Sequence, residues 1–352
     1  MGISPSTTGA RAGERERERE RGRARASAGG PARAGGGGRS EAGPGPYARG
    51  MTTTEPEASA PVPSSPGTVV LAGCGDLGTE AGLRFVARGH RVVGLRRRPE
   101  VLPAQIEGVS TDLSVGCPPL PADTSVVVVA LAAGSREPDA YRAAYVDGLR
   151  HVLDAVDALP APARPRVLFV SSTAAWGEAD AERTSGPLVD EAVPATGAGS
   201  ATAPALLEAE RLLHERTDDG VALRLSGIYG PGRERLIDQV RAGGAPRDPA
   251  RVTNRIHRDD AAAALVHLAL DVDEPPRLVT GTDDEPVPLA EVLRWLADEL
   301  GVDDPTAGAD VGAGEGKRLS NALLRSTGFR FEHPSWREGY RAVLSGRGVR
   351  HP

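Results

Sequence analysis

The chain has 352 residues, 39% hydrophobic and 26% charged, with only 3% aromatic side chains and a net charge of −6. That length allows one large α/β domain or two smaller ones, and no apolar run approaches the ~18 residues that span a bilayer. Two cysteines, Cys74 and Cys117, are too few for a disulfide framework and are not spaced as metal ligands, so a membrane span, a disulfide scaffold and a structural metal are excluded and a cytoplasmic protein is expected.

The first 66 residues are expected to be a disordered leader. Residues 1–50 hold ten Arg, five Glu and thirteen Gly around "ERERERERGRAR", a composition that cannot bury enough apolar surface to offset the entropy of ordering. The segment reads either as an arginine-rich nucleic-acid arm or as an extension upstream of a true start at Met51, and the second reading is favoured. It lacks the apolar core of a secretory signal. Its surplus of five positive charges leaves residues 51–352 at −11, which argues against nucleic-acid binding by the folded part.

From Thr68 onward, short β-branched runs alternate with helical stretches. "TVVLAG" leads into an amphipathic helix through "LGTEAGLRFVARGH". Then come "RVVGL" (91–95), "SVVVVAL" (125–131), a helix around 138–159 and "RVLFVSS" (166–172). These strands are continuous apolar runs, the mark of strands covered on both faces. The prediction is an α/β, Rossmann-type doubly wound parallel sheet. It has a cofactor domain over 67–227, a smaller C-terminal α/β substrate region over 228–345 interleaved with the sheet, and a tail over 346–352. That second region opens on the turn "YGPGR", continues through a loop at "NRIHRDD", and adds helices at "DDAAAALVHLAL" and "PLAEVLRWLADELG" with the strand "RLVTG" between them.

The turn after the first strand carries Gly73, Gly75 and Gly78 as G-x-G-x-x-G. The three serve a tight turn, close backbone approach to a pyrophosphate, and close helix–strand contact. The helix starting near Asp76, with Leu77 behind it, aims free N–H groups at the anion. This turn is expected to bind a dinucleotide. Where NAD-preferring sites place an acid, the chain has Arg96 and Arg97, which can pair with a 2′-phosphate. NADP is therefore favoured, with NAD possible. Asp112 and Leu113 in "TDLS" would meet the adenine, and Ala132 and Ala133 in "ALAAGS" the nicotinamide ribose.

In order through 68–342, "AGCGDLG", "TDLS", "FVSSTAAWGE", "VDEAVP", "LLEAERLL", "LRLSGIYGPGR", "NRIHRDDAAAAL" and "GKRLSNALLRSTGFRFEHPSWREGY" resemble the extended and atypical short-chain dehydrogenase/reductases of the NAD-dependent epimerase/dehydratase family. Within it the chain looks most similar to the YeeZ-type NAD(P)-dependent oxidoreductases. The resemblance implies a Rossmann half for the cofactor, a smaller half that closes over a small-molecule substrate, and catalysis by Tyr-x-x-x-Lys on a helix. Taking Glu210 as the glutamate that follows that lysine puts the pair at Thr202 and Leu206, which cannot do the work. The only lysine is Lys317, and four residues before it stands Ala313. No Tyr-x-x-x-Lys exists in the chain.

What remains as catalytic candidates is Ser172, at the superfamily's serine position, with Thr173 beside it, and His257, whose ordinary pKa suits acid–base work. Trp176, Tyr229, Arg233, Asn254 and Lys317 are expected on the substrate side. Asp259 and Asp260 read as helix-starting acids. The expected function is hydride chemistry on a small carbonyl or alcohol, with a non-catalytic dinucleotide-binding sensor or scaffold or a nucleotide-sugar epimerase/dehydratase as alternatives and a homodimer possible.

Overall fold

In this computed structural model, residues 66–135, 137–160, 164–177, 188–311 and 314–352 are described. The expected leader lies outside them except for its last residue. Five strands follow the apolar runs closely: β1 (Thr68–Ala72), β2 (Val92–Arg96), β4 (Thr124–Val129), β5 (Arg166–Ser172) and β6 (Val221–Leu225). The strand β3 (Glu107–Ser110) is polar and largely exposed, as an edge allows. With β10 (Leu278–Gly281) they form one sheet in the order β10-β6-β5-β4-β1-β2-β3, and every pair in it is parallel. Strand order reverses between β1 and β4, the crevice where such sheets bind ligands.

Helices cover both faces. On one side α1 (Asp76–Ala87) lies beside α6 (Arg258–Leu270); Phe85, Leu71, Val128, Leu223 and Leu265 are fully or almost fully buried there. The helical stretch at 138–159 is three pieces: α2 (Pro138–Tyr141), a π-helical segment (Arg142–Asp147) and α3 (Gly148–Asp157). With α4 (Ala203–Arg216) it covers the other face over Val70, Val127, Leu149 and Phe169. Full burial of each such side chain stabilises by roughly 1.5–3 kcal/mol.

The later part of the chain adds a second core. Here α5 (Arg235–Arg241), α7 (Leu289–Leu300) and α9 (Trp336–Leu344) bury Tyr229, Leu293, Leu296, Trp336 and Tyr340 together. A short helix α8 (Ala322–Ser326) precedes α9. The stretch "NRIH", expected as a loop, is instead β9 (Arg255–His257), paired in parallel with β7 (Gly227–Tyr229). Its side chains are buried on all three residues, which a strand tolerates because its backbone groups bond to a neighbour. Two short strands, β8 (Val252–Thr253) and β11 (Val287–Pro288), form an antiparallel pair close by. Among the described residues no helix is long and apolar enough to cross a membrane.

Candidate functional site

The three glycines behave differently. Gly73 has φ +90, and a Cβ there would lie 2.6 Å from the Ala130 carbonyl oxygen. A Cβ on Gly78 would lie 2.9 Å from the Gly73 oxygen. Both are needed for the turn to close. Gly75 has ordinary extended geometry, φ −88 and ψ −159, and a Cβ on it would meet nothing within 4 Å. The turn therefore leaves open space above Gly75, at the first turn of α1, whose amides have no carbonyl of their own helix to bond. Such a cradle has the shape and the free N–H groups that a phosphate requires.

A cleft of about 440 Å³ opens from this cradle and gathers Gly73, Gly75, Arg96, Arg97, Asp112, Leu113 and Ala132. The residues expected to hold a dinucleotide are thus brought together by the C-terminal ends of β1, β2, β3 and β4. Asp112 accepts from the Ser114 hydroxyl at 2.7 Å and its amide at 3.1 Å, and these bonds hold its carboxyl below the usual range. Leu77 packs into the core instead.

Asp76 has a different task. Burial alone would raise its pKa, but the Arg233 hydrogen bond, the His351 amide and the Arg258 charge outweigh that and hold it low. Its carboxylate accepts from Arg233 Nε at 2.7 Å, Arg258 Nη1 at 2.7 Å and the His351 amide at 3.1 Å. Arg233, expected in the substrate cleft, is spent on tying the "YGPGR" turn to the glycine turn. Arg258 is 1% exposed, so a buried guanidinium demands the acid.

At the β5 exit, Ser172 caps a short 3₁₀ turn by accepting from the Ala174 amide at 3.2 Å, and its own O–H remains a donor. Thr173 is buried. On α4 the positions where the resemblance would place tyrosine and lysine are the half-buried Thr202 and the fully buried Leu206. Beneath the turn lies a buried pair. Arg224 donates to Glu210 through Nε at 2.9 Å and Nη2 at 2.6 Å, and Ser171 Oγ donates to Glu210 at 2.5 Å.

Most of the expected substrate-side residues turn inward. Trp176 is fully buried, donates to the Val193 carbonyl at 2.9 Å and carries Arg224 over its ring at 4.2 Å. Lys317, expected on the substrate side, donates from Nζ to the carbonyls of Thr173, at 2.9 Å, and Trp176. It clamps the Ser172 turn from below. Asn254 donates to the Lys317 carbonyl and accepts from the Leu319 amide, both at 2.9 Å, so it holds the lysine's loop. Tyr229 is buried between Tyr340 and His257, and burial drives its hydroxyl pKa upward.

His257 is also a structural residue. It is 2% exposed and caps α6 by accepting from the Asp259 amide at its Nδ1, 3.2 Å away. Burial, with the neighbouring His333 charge, pushes its pKa down to about 4. It stacks on His333 with ring centroids 3.9 Å apart. His257, Asp260 and His333 have ligand atoms within 4.8 Å of one another, but the Asp260 carboxylate and the Nδ1 of each histidine are already engaged in hydrogen bonds, and His257 Nε2 is left buried without a partner. Asp260 accepts from the Glu332 amide at 2.6 Å and from the His333 amide and Nδ1 at 3.0 Å each. An Nδ1 that accepts an N–H leaves the proton on Nε2, where it blocks metal ligation. The three residues form a joint between α6 and the turn before α9.

One residue escapes the search for Tyr-x-x-x-Lys. Tyr145, followed four residues on by Leu149, sits in the π-helical segment, a feature frequent at functional sites. Its ring meets Phe169 of β5 edge-on. Burial, then Tyr141, raise its pKa, while a hydrogen bond from the Ala133 backbone opposes them. Tyr145 directly follows Ala143 and Ala144, which line the cleft.

No family model matches the chain. A solved structure from Methylobacillus flagellatus, assigned as an NAD-dependent epimerase/dehydratase, is 36% identical with a TM-score of 0.65; the likeness covers 80% of this chain and 99% of that one. The 3-diazoavenalumate denitrifying reductase of a Streptomyces species is 33% identical over 181 residues, 44% of this chain, and the match spans 58% of that relative's length. Protein YeeZ of Escherichia coli strain K12 is 27% identical over 282 residues, 76% of this chain and 96% of YeeZ. The Bordetella bronchiseptica enzyme WbmG, solved with NAD, has a TM-score of 0.63 at 17% identity over 80% of this chain and 94% of its own. At that identity the likeness is one of fold.

Proposed function

This chain belongs to the NAD-dependent epimerase/dehydratase family, and from that premise we propose that it is an oxidoreductase that binds NADP and delivers hydride to a small electrophile without a Tyr-x-x-x-Lys pair. The observation that carries this reading is the cleft in which the open space over Gly75 runs on to Arg96, Arg97 and Arg98. Gly75 and the first turn of α1 hold the pyrophosphate, and Arg96 and Arg97 the 2′-phosphate. Asp112 would meet the adenine, and Ala132 and Ala133 would lie toward the nicotinamide ribose. Residues 67–227 serve as the cofactor domain and 228–345 as the substrate region. When bound, the cofactor supplies the hydride, and the protein supplies position.

Two hydroxyls are the candidates to meet a substrate, Ser172 at the end of β5 and Tyr145 next to the cleft-lining Ala144. Ser172 has its O–H to donate to a substrate oxygen, and Tyr145, its pKa raised chiefly by burial, retains its proton. Neither has the lysine that would make it a strong acid–base group, so both polarise an acceptor more than they protonate it. This favours an acceptor that is already electron-poor, such as an activated carbonyl or a diazo compound. The name of the Streptomyces relative, a denitrifying reductase of 3-diazoavenalumate, supports the reductive direction.

The test is NADPH oxidation against a panel of small carbonyl and diazo compounds, with C4-deuterated NADPH tracing the hydride. Deuterium should reach carbon in the product. Ser172→Ala and Tyr145→Phe should lower kcat by about 10²-fold while cofactor affinity holds. NADPH that binds but transfers no deuterium to any acceptor would replace this reading with that of a dinucleotide sensor.

A further inference from the structure

Resting on the dinucleotide reading above, we propose that residues 346–352 are a cofactor-specificity element that competes with the 2′-phosphate of NADP for Arg96. After α9 the chain turns back through Gly346 (φ 72) and Gly348 (φ 85) and runs to the glycine turn. Three points fasten it there. Arg258 Nη2 donates to the Val349 carbonyl at 2.9 Å, the His351 amide donates to Asp76 at 3.1 Å, and His351 Nε2 pairs with Glu80 at 2.9 Å. The segment then reaches the rim of the cleft, where Arg96 Nη1 donates to the Pro352 carbonyl at 2.9 Å.

Arg96 ends β2, at the position where a dinucleotide site reads the ribose 2′ substituent. A guanidinium already bonded to a backbone carbonyl has fewer donors to offer a phosphate. A 2′-phosphate that takes both Nη groups of Arg96 draws Nη1 away from Pro352, whereas NAD presents a hydroxyl there and leaves the segment in place. Binding of the 2′-phosphate and docking of 350–352 are therefore linked with opposite sign, and each weakens the other by the same factor. The Glu80 anchor lies on α1 beyond its first turn, outside the 2′ position, so its strength sets the chain's NADP-to-NAD preference.

Hydrogen exchange on the full chain separates the possibilities. Saturating NADPH should raise exchange at the amides of 349–351, and saturating NADH should leave them as protected as in the free protein. His351→Ala, which loosens the anchor on Glu80, should tighten NADPH by about two- to fivefold, the size of one lost partly buried hydrogen bond, and leave NADH unchanged. Equal protection under both cofactors, or His351→Ala shifting both affinities alike, overturns the competition while leaving dinucleotide binding intact. Absence of calorimetric heat with either cofactor removes both readings.

Discussion

Gly75→Ala isolates the binding function of the glycine turn from its fold. The backbone at Gly75 is one that alanine adopts freely, and its Cβ would enter open space. Losing glycine at a helix N-cap costs about 0.5–1 kcal/mol, and the reduced freedom of the unfolded chain returns a similar amount. The melting temperature should therefore stay within about 3 °C of the wild type. The methyl group stands where a pyrophosphate must approach the α1 amides, and displacing the phosphate forfeits one charge-assisted bond worth roughly 1.5–3 kcal/mol. Affinity should fall about 10- to 100-fold in a calorimetric titration with NADPH. Gly73→Ala is the contrasting control, since φ +90 and the 2.6 Å approach to Ala130 should cost stability and binding together. A well-folded Gly75→Ala protein that binds NADPH as tightly as the wild type would refute the assignment of this turn to a pyrophosphate.

Two further outcomes follow from buried charge. Glu210→Ala leaves the Arg224 guanidinium, 4% exposed, without its carboxylate; breaking such a pair costs about 3–5 kcal/mol, so thermal unfolding should shift down by on the order of 10 °C, and a shift of under about 2 °C would contradict it. Two buried groups also make stability depend on pH; their contributions oppose each other between about pH 4 and 6.5, and stability should decline from about pH 6.5 to 8. His257 has its pKa lowered from 6.5 to about 4 chiefly by burial, so the stability it contributes is present above 6.5 and lost as pH drops through 4. Asp283, raised from 3.8 to about 8 chiefly by burial, contributes stability that is present below 3.8 and lost as pH rises through 8. Urea midpoints against pH should lose the alkaline decline in Asp283→Asn, and an unchanged decline would show that other groups cause it.

The sheet was legible because its central strands are buried on both faces, which leaves continuous apolar runs such as "SVVVV" in the sequence. The polar edge strand β3 has no such run and could be placed only by its position before "TDLS". Strand β9 was missed because it has three residues and its partner β7 lies far away in sequence. Its pairing depends on the tertiary arrangement of the second core. At the site, the glycine spacing located the tight turn and its open space at Gly75 because backbone approach is written in residue size. The direction of a side chain beyond a turn is not. Trp176, Lys317, Arg233 and Asn254 all have the chemistry of ligand contacts, yet the packing of the β5 exit and of the "YGPGR" turn spends each on holding a loop. Tyr145 stayed hidden for the opposite reason, since its sequence neighbourhood lacks the lysine that marks a catalytic tyrosine.

The most direct test of dinucleotide binding with a 2′-phosphate site at Arg96 is a parallel calorimetric titration of the full chain and of Arg96→Asp with NADPH and NADH. The wild type should bind both, NADPH more tightly, and Arg96→Asp should reverse the preference. Identical discrimination in the two proteins would contradict the role of Arg96, and no binding of either dinucleotide would contradict the function proposed for the cleft.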